Sequence, residues 1–586
     1  MKYRLGITLI ALFLTVVGFA EQFGDVTIEN VAPMVGRNGI WTGYFIREFR
    51  IENNGAKPTQ IWMRLSENIN RTHSVEHSLL LPPGGVRNVQ LYWPPTHNNF
   101  IFYNEIGLEL AINGKHVENN LILPGERFNI SSSKTVLGSE SVPLHSYWAF
   151  CNSGSTLSSH DLAVVSPIPV AQWGIHTRDY AGLKAILISS SDKLPSEVDA
   201  AIKKWMFGGG TLVICVPPDA PWPANEKPEP PRGEVLETQY GWGRIVICRP
   251  IPRGYSVERD KKSVKNRVMP NYPSTPGLML LQSLFIDNNS VNSFDRNIAA
   301  KLKFKIPTVP LHSLFYVMLI FAIIVGPVNY FTLRRFRRES WLFVTTPAIS
   351  LIFCLALIAF ITIHEGWYSR GKAHGITLLD EGIGLTATLS RVIVYAPIPP
   401  LTKFHFDSNV LLQFLSVRDM HLNIDDGQSF SRDLLQPRIP LSYQIERVES
   451  RREQLKIEAV NGEISIVNGL GVTLSRVVLA DANGKIYQLD NPIPAGGRTT
   501  LKPTKFRTEL TRIKWGDQLK DLPDTDTPDE QLLQKIRGSL VPGYYVAIAN
   551  EPVFYALGFR PDRFAARHLI FGKIPRKIWE QNSHGN

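Results

Sequence analysis

The sequence predicts a multidomain protein of mixed class, α/β plus all-β, carried on two membrane-crossing helices. Three observations predict it. Two apolar stretches free of Lys, Arg, Asp and Glu, Val309 to Leu333 and Trp341 to Ile363, stand between long water-soluble regions. Apolar residues alternate with period two in the N-terminal part and again after the second stretch, the mark of half-buried strands. In residues 139–300 the pattern changes to buried strands flanking a helix, which is α/β character.

The chain opens with Lys2 and Arg4, an apolar run from Leu5 to Val17, and the small residues Gly18 and Ala20. This reads as a secretory signal peptide over residues 1–20, cut after Ala20, with an uncleaved anchor as the competing reading. No Cys follows the cut, so a lipid anchor is not expected. The formal charge is +11, of which two leave with the leader and four arginines lie between the apolar stretches. A basic run, Arg259, Lys261, Lys262, Lys265 and Arg267, suits a solvated loop better than a head-group site. With export and no nucleic-acid motif, DNA and RNA are excluded as partners.

Residues 21–135 read as a β-sandwich. Ile106, Leu108, Leu110 and Ile112 alternate with Gly107, Glu109 and Ala111, and Asn113-Gly114 supplies the turn. Phe45, Phe49 and Ile51 share a face that Arg47 interrupts, and Asn54-Gly55 leads to Ile61, Met63 and Leu65 as a hairpin. Leu81 to Gly85 then leads into Val89, Leu91 and Trp93, and this strand spacing fits an immunoglobulin-like sandwich.

Residues 139–300 form the α/β domain. Ala185 to Ile188 is a buried strand; Pro195 to Phe207 is helical, with Val198, Ile202 and Trp205 on one face. Gly208, Gly209 and Gly210 end the helix, Thr211 to Val216 and Arg244 to Cys248 are further strands, and Pro217 to Pro231 is a loop. The four cysteines are too few for a disulfide scaffold and lack metal-ligand spacing. A Cys215 to Cys248 bridge needs Cα atoms about 4.4 to 6.8 Å apart; buried free thiols are the favoured state.

Residues 309–333 and 341–363 are each long enough to cross roughly 30 Å of hydrocarbon. The connection, residues 334–340, carries Arg334, Arg335, Arg337 and Arg338, which places it on the cytoplasmic side and both flanking regions outside. Gly326 and Pro327 can kink the first helix, Asn329 is a polar group near its end, and Trp367 and Tyr368 suit an outer aromatic belt. No charge lies inside the spans, so no transport path is expected.

Residues 375–503 read as a second β-sandwich: Leu389 to Tyr395, then Leu455, Ile457 and Ala459, then Ile464 and Ile466, then Val477 and Leu479. Asn461-Gly462 and Asn483-Gly484 are its hairpin turns. Residues 504–586 hold a helix near Asp529 to Arg537 and a strand Tyr544 to Ala549, an α/β extension.

Three stretches together resemble a family. They are Leu194 to Val213 with its helix ending in Trp205 and Gly208-Gly209-Gly210-Thr211-Leu212-Val213, Gly326-Pro327-Val328-Asn329-Tyr330, and Asn468-Gly469-Leu470-Gly471 through Gly484 to Gly496. The chain resembles bacterial membrane proteins with an extracytoplasmic class I glutamine amidotransferase-like domain and a two-helix membrane hairpin. The resemblance implies a flavodoxin-like fold for the α/β domain and implies no activity. A working amidotransferase of this class sets a nucleophilic Cys on a sharp, glycine-flanked strand-to-helix turn. Here the corresponding residues are Cys215, Val216, Pro217, Pro218 and Asp219, and the prolines remove donors that an oxyanion hole needs.

Cys215 therefore reads as a core residue. Cys151 with His160 or His176 is a weaker nucleophile and base candidate. Ser159, His160 and Asp161 are mere sequence neighbours. Gly208 to Gly210 lacks the Lys and Ser or Thr of a P-loop, and Asp521, Asp524, Asp526, Asp529 and Glu530 lack the EF-hand order. No catalytic, cofactor or metal residue is assigned. The expectation is a non-catalytic, two-pass inner-membrane protein with both soluble regions extracytoplasmic. It would be an accessory, scaffold or binding subunit of a cell-envelope complex, with the bilayer and an envelope protein as partners. The alternatives are a Cys-dependent envelope hydrolase or amidotransferase, and a glycan- or peptide-binding protein using Tyr92 or Trp62.

Overall fold

A computed structural model describes residues 20–31, 44–67, 73–95, 105–117, 121–124, 134–142, 162–164, 168–222, 235–249, 302, 304, 311–507 and 540–574, except residues 218, 399, 415, 416, 418, 461, 462, 482, 490 and 541. The leader through residue 19, the basic run 259–267 and the helix expected from Asp529 lie outside these residues.

The N-terminal part is a two-layer β structure. Its strands are β1 (Ala20–Phe23), β2 (Val26–Val31), β3 (Phe45–Asn53), β4 (Thr59–Glu67), β5 (His73–Leu81), β6 (Val86–Trp93), β7 (Glu105–Ile112), β8 (Lys115–His116) and β9 (Leu121–Pro124). One sheet runs β1-β2-β3-β6; β5-β4-β7 with β8 and β9 belong to the other. Phe49, Ile51, Met63, Leu65, Leu91 and Leu108 fill the core between them. Arg47 does not break the alternation: it is 4% exposed and keeps the inward parity of Phe45 and Phe49, its guanidinium lying over the Phe45 ring. Asn113 and Gly114 both take positive φ, 50° and 78°, between paired Ile112 and Lys115, the conformation a two-residue type I′ hairpin demands.

The Asn54-Gly55 connection is not a hairpin. β3 pairs with β2 and β6, whereas β4 pairs with β5 and β7, so the chain arches from one sheet to the other. Buried Asn53 makes the corner, its Nδ2 donating to the carbonyls of Lys57, Leu81 and Pro82 at 2.9, 3.2 and 3.1 Å. Its backbone N–H donates to Gly85 and its carbonyl accepts from Gly84.

The α/β unit comprises β10 (Lys134–Gly138), β11 (Leu162–Val164), β12 (Leu183–Ser189), helix α1 (Ser196–Phe207), β13 (Thr211–Cys215), β14 (Val235–Tyr240) and β15 (Gly243–Cys248). Its sheet order is β11-β10-β12-β13-β15-β14, parallel except for β14 at the edge. Val198, Ile202 and Trp205 of α1 pack on Ile186, Ile188 and Leu212, the face that the helical spacing predicts. Gly209 ends the helix at φ 125°, and a Cβ on Gly210 would enter the Trp205 indole.

The apolar hairpin runs through α2 (Leu311–Ile323), a single π turn at Ile324–Val328, α3 (Asn329–Arg335) and α4 (Leu342–Glu365). Pro327 sits in the π turn; lacking an N–H, it leaves a hole in the α ladder that the wider turn absorbs. Asn329 Nδ2 donates to Thr346 Oγ1 across the hairpin at 3.3 Å. These are two helices long and apolar enough to cross a membrane, with nearly all of their apolar side chains outside the protein core.

After the hairpin come β16 (Arg370–Asp380), β17 (Leu385–Tyr395), β18 (Phe404–Phe406), β19 (Val410–Phe414), β20 (Met420–Asn423), β21 (Gln428–Phe430) and β22 (Leu441–Ser450). They are followed by β23 (Leu455–Val460), β24 (Glu463–Asn468), β25 (Leu474–Ala480), β26 (Lys485–Leu489), β27 (Arg498–Arg507), β28 (Tyr544–Ala549) and β29 (Arg563–Lys573). A long curled sheet has the order β19-β22-β17-β16-β29-β28-β25-β26-β27-β24-β23. Asn468 repeats the corner of Asn53: its Nδ2 donates to Val472, Ile493 and Pro494 at 2.8, 3.1 and 3.0 Å. Its backbone also pairs with Gly497 and Gly496 as that of Asn53 does with Gly85 and Gly84.

The soluble segments interlock. β20 pairs in parallel with β5, Met420 to Asn423 opposite His73 to Glu76, so β18, β21 and β20 extend a sheet begun before the hairpin. Phe404, Phe406, Phe414, Phe430 and Tyr443 share one core with Phe49 and Leu91. Phe207 and Trp242 of the α/β unit pack against Ile376, Leu378, Leu389 and Val546 of the long sheet. The bounds expected at residues 375 and 503 fall inside β16 and β27, and the N-terminal strands share a sheet and a core with segments after the hairpin. Periodicity reports which face of a strand is buried, not which strand lies beside it.

Candidate functional site

In an open parallel sheet, ligands bind outside the carboxyl ends of the strands, at the point where the strand order reverses. Here β11 and β12 flank β10, so that point lies beyond Gly138 and Ser189. The residues there are small and polar. Ser139 Oγ donates to Asp192 Oδ2 at 2.5 Å, and the same oxygen accepts from the Ser189 N–H at 2.8 Å. Ser189 Oγ and Ser191 Oγ are 2.8 Å apart, and the Ser190 N–H donates to the Cys215 carbonyl. Two strands away, after β15, Arg249 Nη1 donates to the carbonyls of Pro217 and Ala220, at 2.6 and 3.2 Å, and ties down the loop that follows β13.

These side chains satisfy one another: the carboxylate of Asp192 and the hydroxyls of Ser139, Ser189 and Ser191 form a hydrogen-bonded polar cluster at the carboxyl ends of β10 and β12. Asp192 is committed to two donors that shape the loop after β12. The sequence signal for it was the run Ser189-Ser190-Ser191-Asp192 directly after a buried strand; pairing with Ser139 depends on the parallel register of β10 and β12.

Cys215 and Cys248 end β13 and β15 and stand opposite each other in register. Cys215 is 2% exposed, and both are free thiols in the layer formed by Val136, Ala185, Leu187, Val213 and Val246. The hydrogen bond with Cys248 and then burial hold the Cys215 thiol well above its usual range, the reverse of what an activated nucleophile requires. Cys151, Ser159, His160, Asp161 and the acidic stretch from Asp521 to Glu530 lie outside the described residues.

His176 is brought to neither cysteine of the sheet. It caps a short 3₁₀ turn, Thr177–Tyr180, ahead of β12, and Tyr180 packs on Trp205 at the opposite, amino end of β13. Burial, then the charge of Arg178, lowers its pKa to about 4. Its backbone N–H donates to Asp179 Oδ2, whose carboxyl burial raises to about 6. Arg178 crosses to the first sheet, lying 4.1 Å over the Tyr92 ring. Tyr92, expected as an exposed aromatic, is 3% exposed beneath it; Trp62 is half-buried with its ring on the edge of His116. Gly208, Gly209 and Gly210 give their N–H groups to Lys204, Met206 and Trp205, so they close the helix and leave no anion cradle.

No family model matches the chain, and no curated protein does. Among solved structures it is similar to the yeast delta-COP-I mu-homology domain in complex with a Dsl1 WxWxV peptide, at 7% identity and a TM-score of 0.16, over 35% of this chain and 96% of that one. It is similar to a calcium-binding mutant of Bacteroides uniformis beta-glucuronidase 2, at 11% and 0.12, over 34% and 24%. A beta-D-mannosidase from Dictyoglomus thermophilum aligns at 11% and 0.14, over 97% and 75%. Scores this low carry no inference of shared fold or function.

Proposed function

We propose that the chain is a two-pass membrane protein whose body is an extracytoplasmic, non-catalytic accessory or scaffold subunit of a cell-envelope complex. The observation that carries the reading is the parallel pairing of β5 with β20, which makes one body of segments before and after the hairpin and so fits a rigid platform on two helices. The arginine loop at residues 334–338 favours a cytoplasmic position for the hairpin tip, in the inner membrane, with the leader directing export. The order β11-β10-β12-β13 fits the 2-1-3-4 sequence of flavodoxin-like sheets and hence an amidotransferase-like α/β domain without its nucleophile turn. The buried, hydrogen-bonded Cys215 supports the non-catalytic reading.

Crosslinking in native membranes, affinity purification and mass spectrometry of the recovered material test it. A stoichiometric membrane protein crosslinked to the hairpin or the α/β unit is the expected result. Recovery of this chain alone overturns the subunit role and moves the weight to ligand binding at the Ser139 and Asp192 cluster.

A further inference from the structure

One end of the long sheet carries apolar side chains that the core does not use. β16 starts at Arg370, five residues after α4 ends at Glu365, so the Arg370 end of the sheet is the end nearest the hairpin. The ladder fixes what else lies there. Tyr395, the last residue of β17, is opposite Arg370, and Leu441, the first of β22, is opposite Val394. The loop after β17 and the loop before β22 are therefore neighbours, tied by the Arg438 N–H donating to the Ala396 carbonyl.

These loops and the exit of α4 expose Trp367, Tyr368, Ile398, Leu401 and Ile439, with Leu401 at 87% the most exposed. Prolines 397, 400, 437 and 440 stiffen the two loops around them. Basic residues stand among them: exposed Lys403 and Arg560, and Arg563, which lies 4.7 Å over the Tyr368 ring. Apolar and aromatic tips flanked by Lys and Arg, with the carboxylate among them, Asp562, taken up by the Ser369 N–H and hydroxyl, are what a head-group interface accepts, the tips in the acyl boundary and the cations at the phosphates.

We propose that this edge is a lipid-contact rim: the loops at residues 396–403 and 436–440 dip, with Trp367 and Tyr368, into the head groups of the leaflet from which α4 emerges. The rim would seat the body against the bilayer and fix its tilt, which two helices alone leave free. Continuity with the hairpin and the complementary charge single out phospholipid over a protein partner. The inference rests on the reading of α2 to α4 as membrane spans.

The test places photoreactive benzoylphenylalanine, one site at a time, at Ile398, Leu401 and Ile439 of the full chain in liposomes of phosphatidylethanolamine and phosphatidylglycerol. Two further sites are controls. Phe343 lies in the span and is exposed, and Ile383 is an exposed residue in the turn at the other end of β16, about 35 Å away. Lipid adducts at Leu401 and Ile439 as at Phe343, with none at Ile383, are expected. Adducts at Phe343 but at none of the three loop sites overturn the rim and leave the spans standing. Absence of adducts at Phe343 overturns the span reading itself. In native membranes, protein adducts in place of lipid at Leu401 would overturn phospholipid as the occupant.

Discussion

Ser74 and His421 stand 347 positions apart, one before the apolar hairpin and one after it, and their side chains meet at 2.8 Å. Beside them Asp425 accepts from the Ser78 N–H at 2.6 Å and lies 3.0 Å from His77 Nδ1. With the two apolar helices read as membrane crossings, as proposed, a sheet shared in this way requires both halves to lie on one side of the membrane, which a two-helix hairpin provides and an odd number of crossings does not. Epitopes inserted at Asn113 and at Ile383 are expected to be reached by impermeant antibody from the same face, and one at Arg337 from the other. Opposite faces for Asn113 and Ile383 would break the argument.

The corner at Asn53 spends both Nδ2 hydrogens on three carbonyls, and Asn468 does the same between β24 and β25. Asp at either site presents an acceptor to acceptors. Asn53→Asp and Asn468→Asp should each lower stability by about 2 to 3 kcal/mol in denaturant titration. A loss of only a few tenths would mean that neighbouring hydrogen bonds, not the amide, hold the arch.

Cys215 should behave as core. A maleimide probe is expected to label it only after denaturation, since burial and its hydrogen-bonded partner Cys248 suppress the thiolate. Cys215→Ala should cost about 1 to 2 kcal/mol through the cavity it leaves. Rapid labelling in the folded protein would revive the nucleophile.

Glu381 predicts a pH dependence. Burial raises its carboxyl from 4.5 to about 7, with the nearby Asp380 charge adding to the effect. Its Oε1 accepts from the Leu455 N–H at 3.1 Å and the Tyr545 hydroxyl at 3.2 Å. Between pH 4.5 and about 7 the folded protein holds a proton that the unfolded chain releases, so stability falls as pH rises through that window. The contribution is about 3 kcal/mol. Asp179, raised to about 6, adds to the same slope, so the comparison is between parent and Glu381→Gln. The variant keeps the acceptor oxygen and should be the more stable near about pH 8 in thermal unfolding, with a flatter profile below it. Identical profiles would exclude Glu381 as the titrating group.

Much of the molecule was legible because the physics that makes it is local. The period of Val198, Ile202 and Trp205 placed α1 and its buried face, and Asn113-Gly114 specified a turn that needs two positive φ angles. Lengths free of charge marked both apolar helices, and Pro327 marked the place where the ladder opens into a π turn. Each signal depends on residues within a few positions of one another.

Partner choice is not local. The same alternation in β3 and β4 fits a hairpin or an arch, and the buried amide of Asn53, bonded to carbonyls as far along the chain as Pro82, makes it an arch. β20 could pair with any exposed edge; shared burial of Phe430 and Leu422 with Val75 and Leu65 seats it on β5. By itself the sequence determined helix α1 and its buried face, strands such as β7, β12, β13 and β28, and the two apolar helices. Only the tertiary structure decided that Ser139 meets Asp192, that Arg178 covers Tyr92, and that loops at residues 396–403 and 436–440 share an edge with Trp367. Those juxtapositions follow from strand register across hundreds of residues, which burial of the common core selects and no short-range pattern encodes.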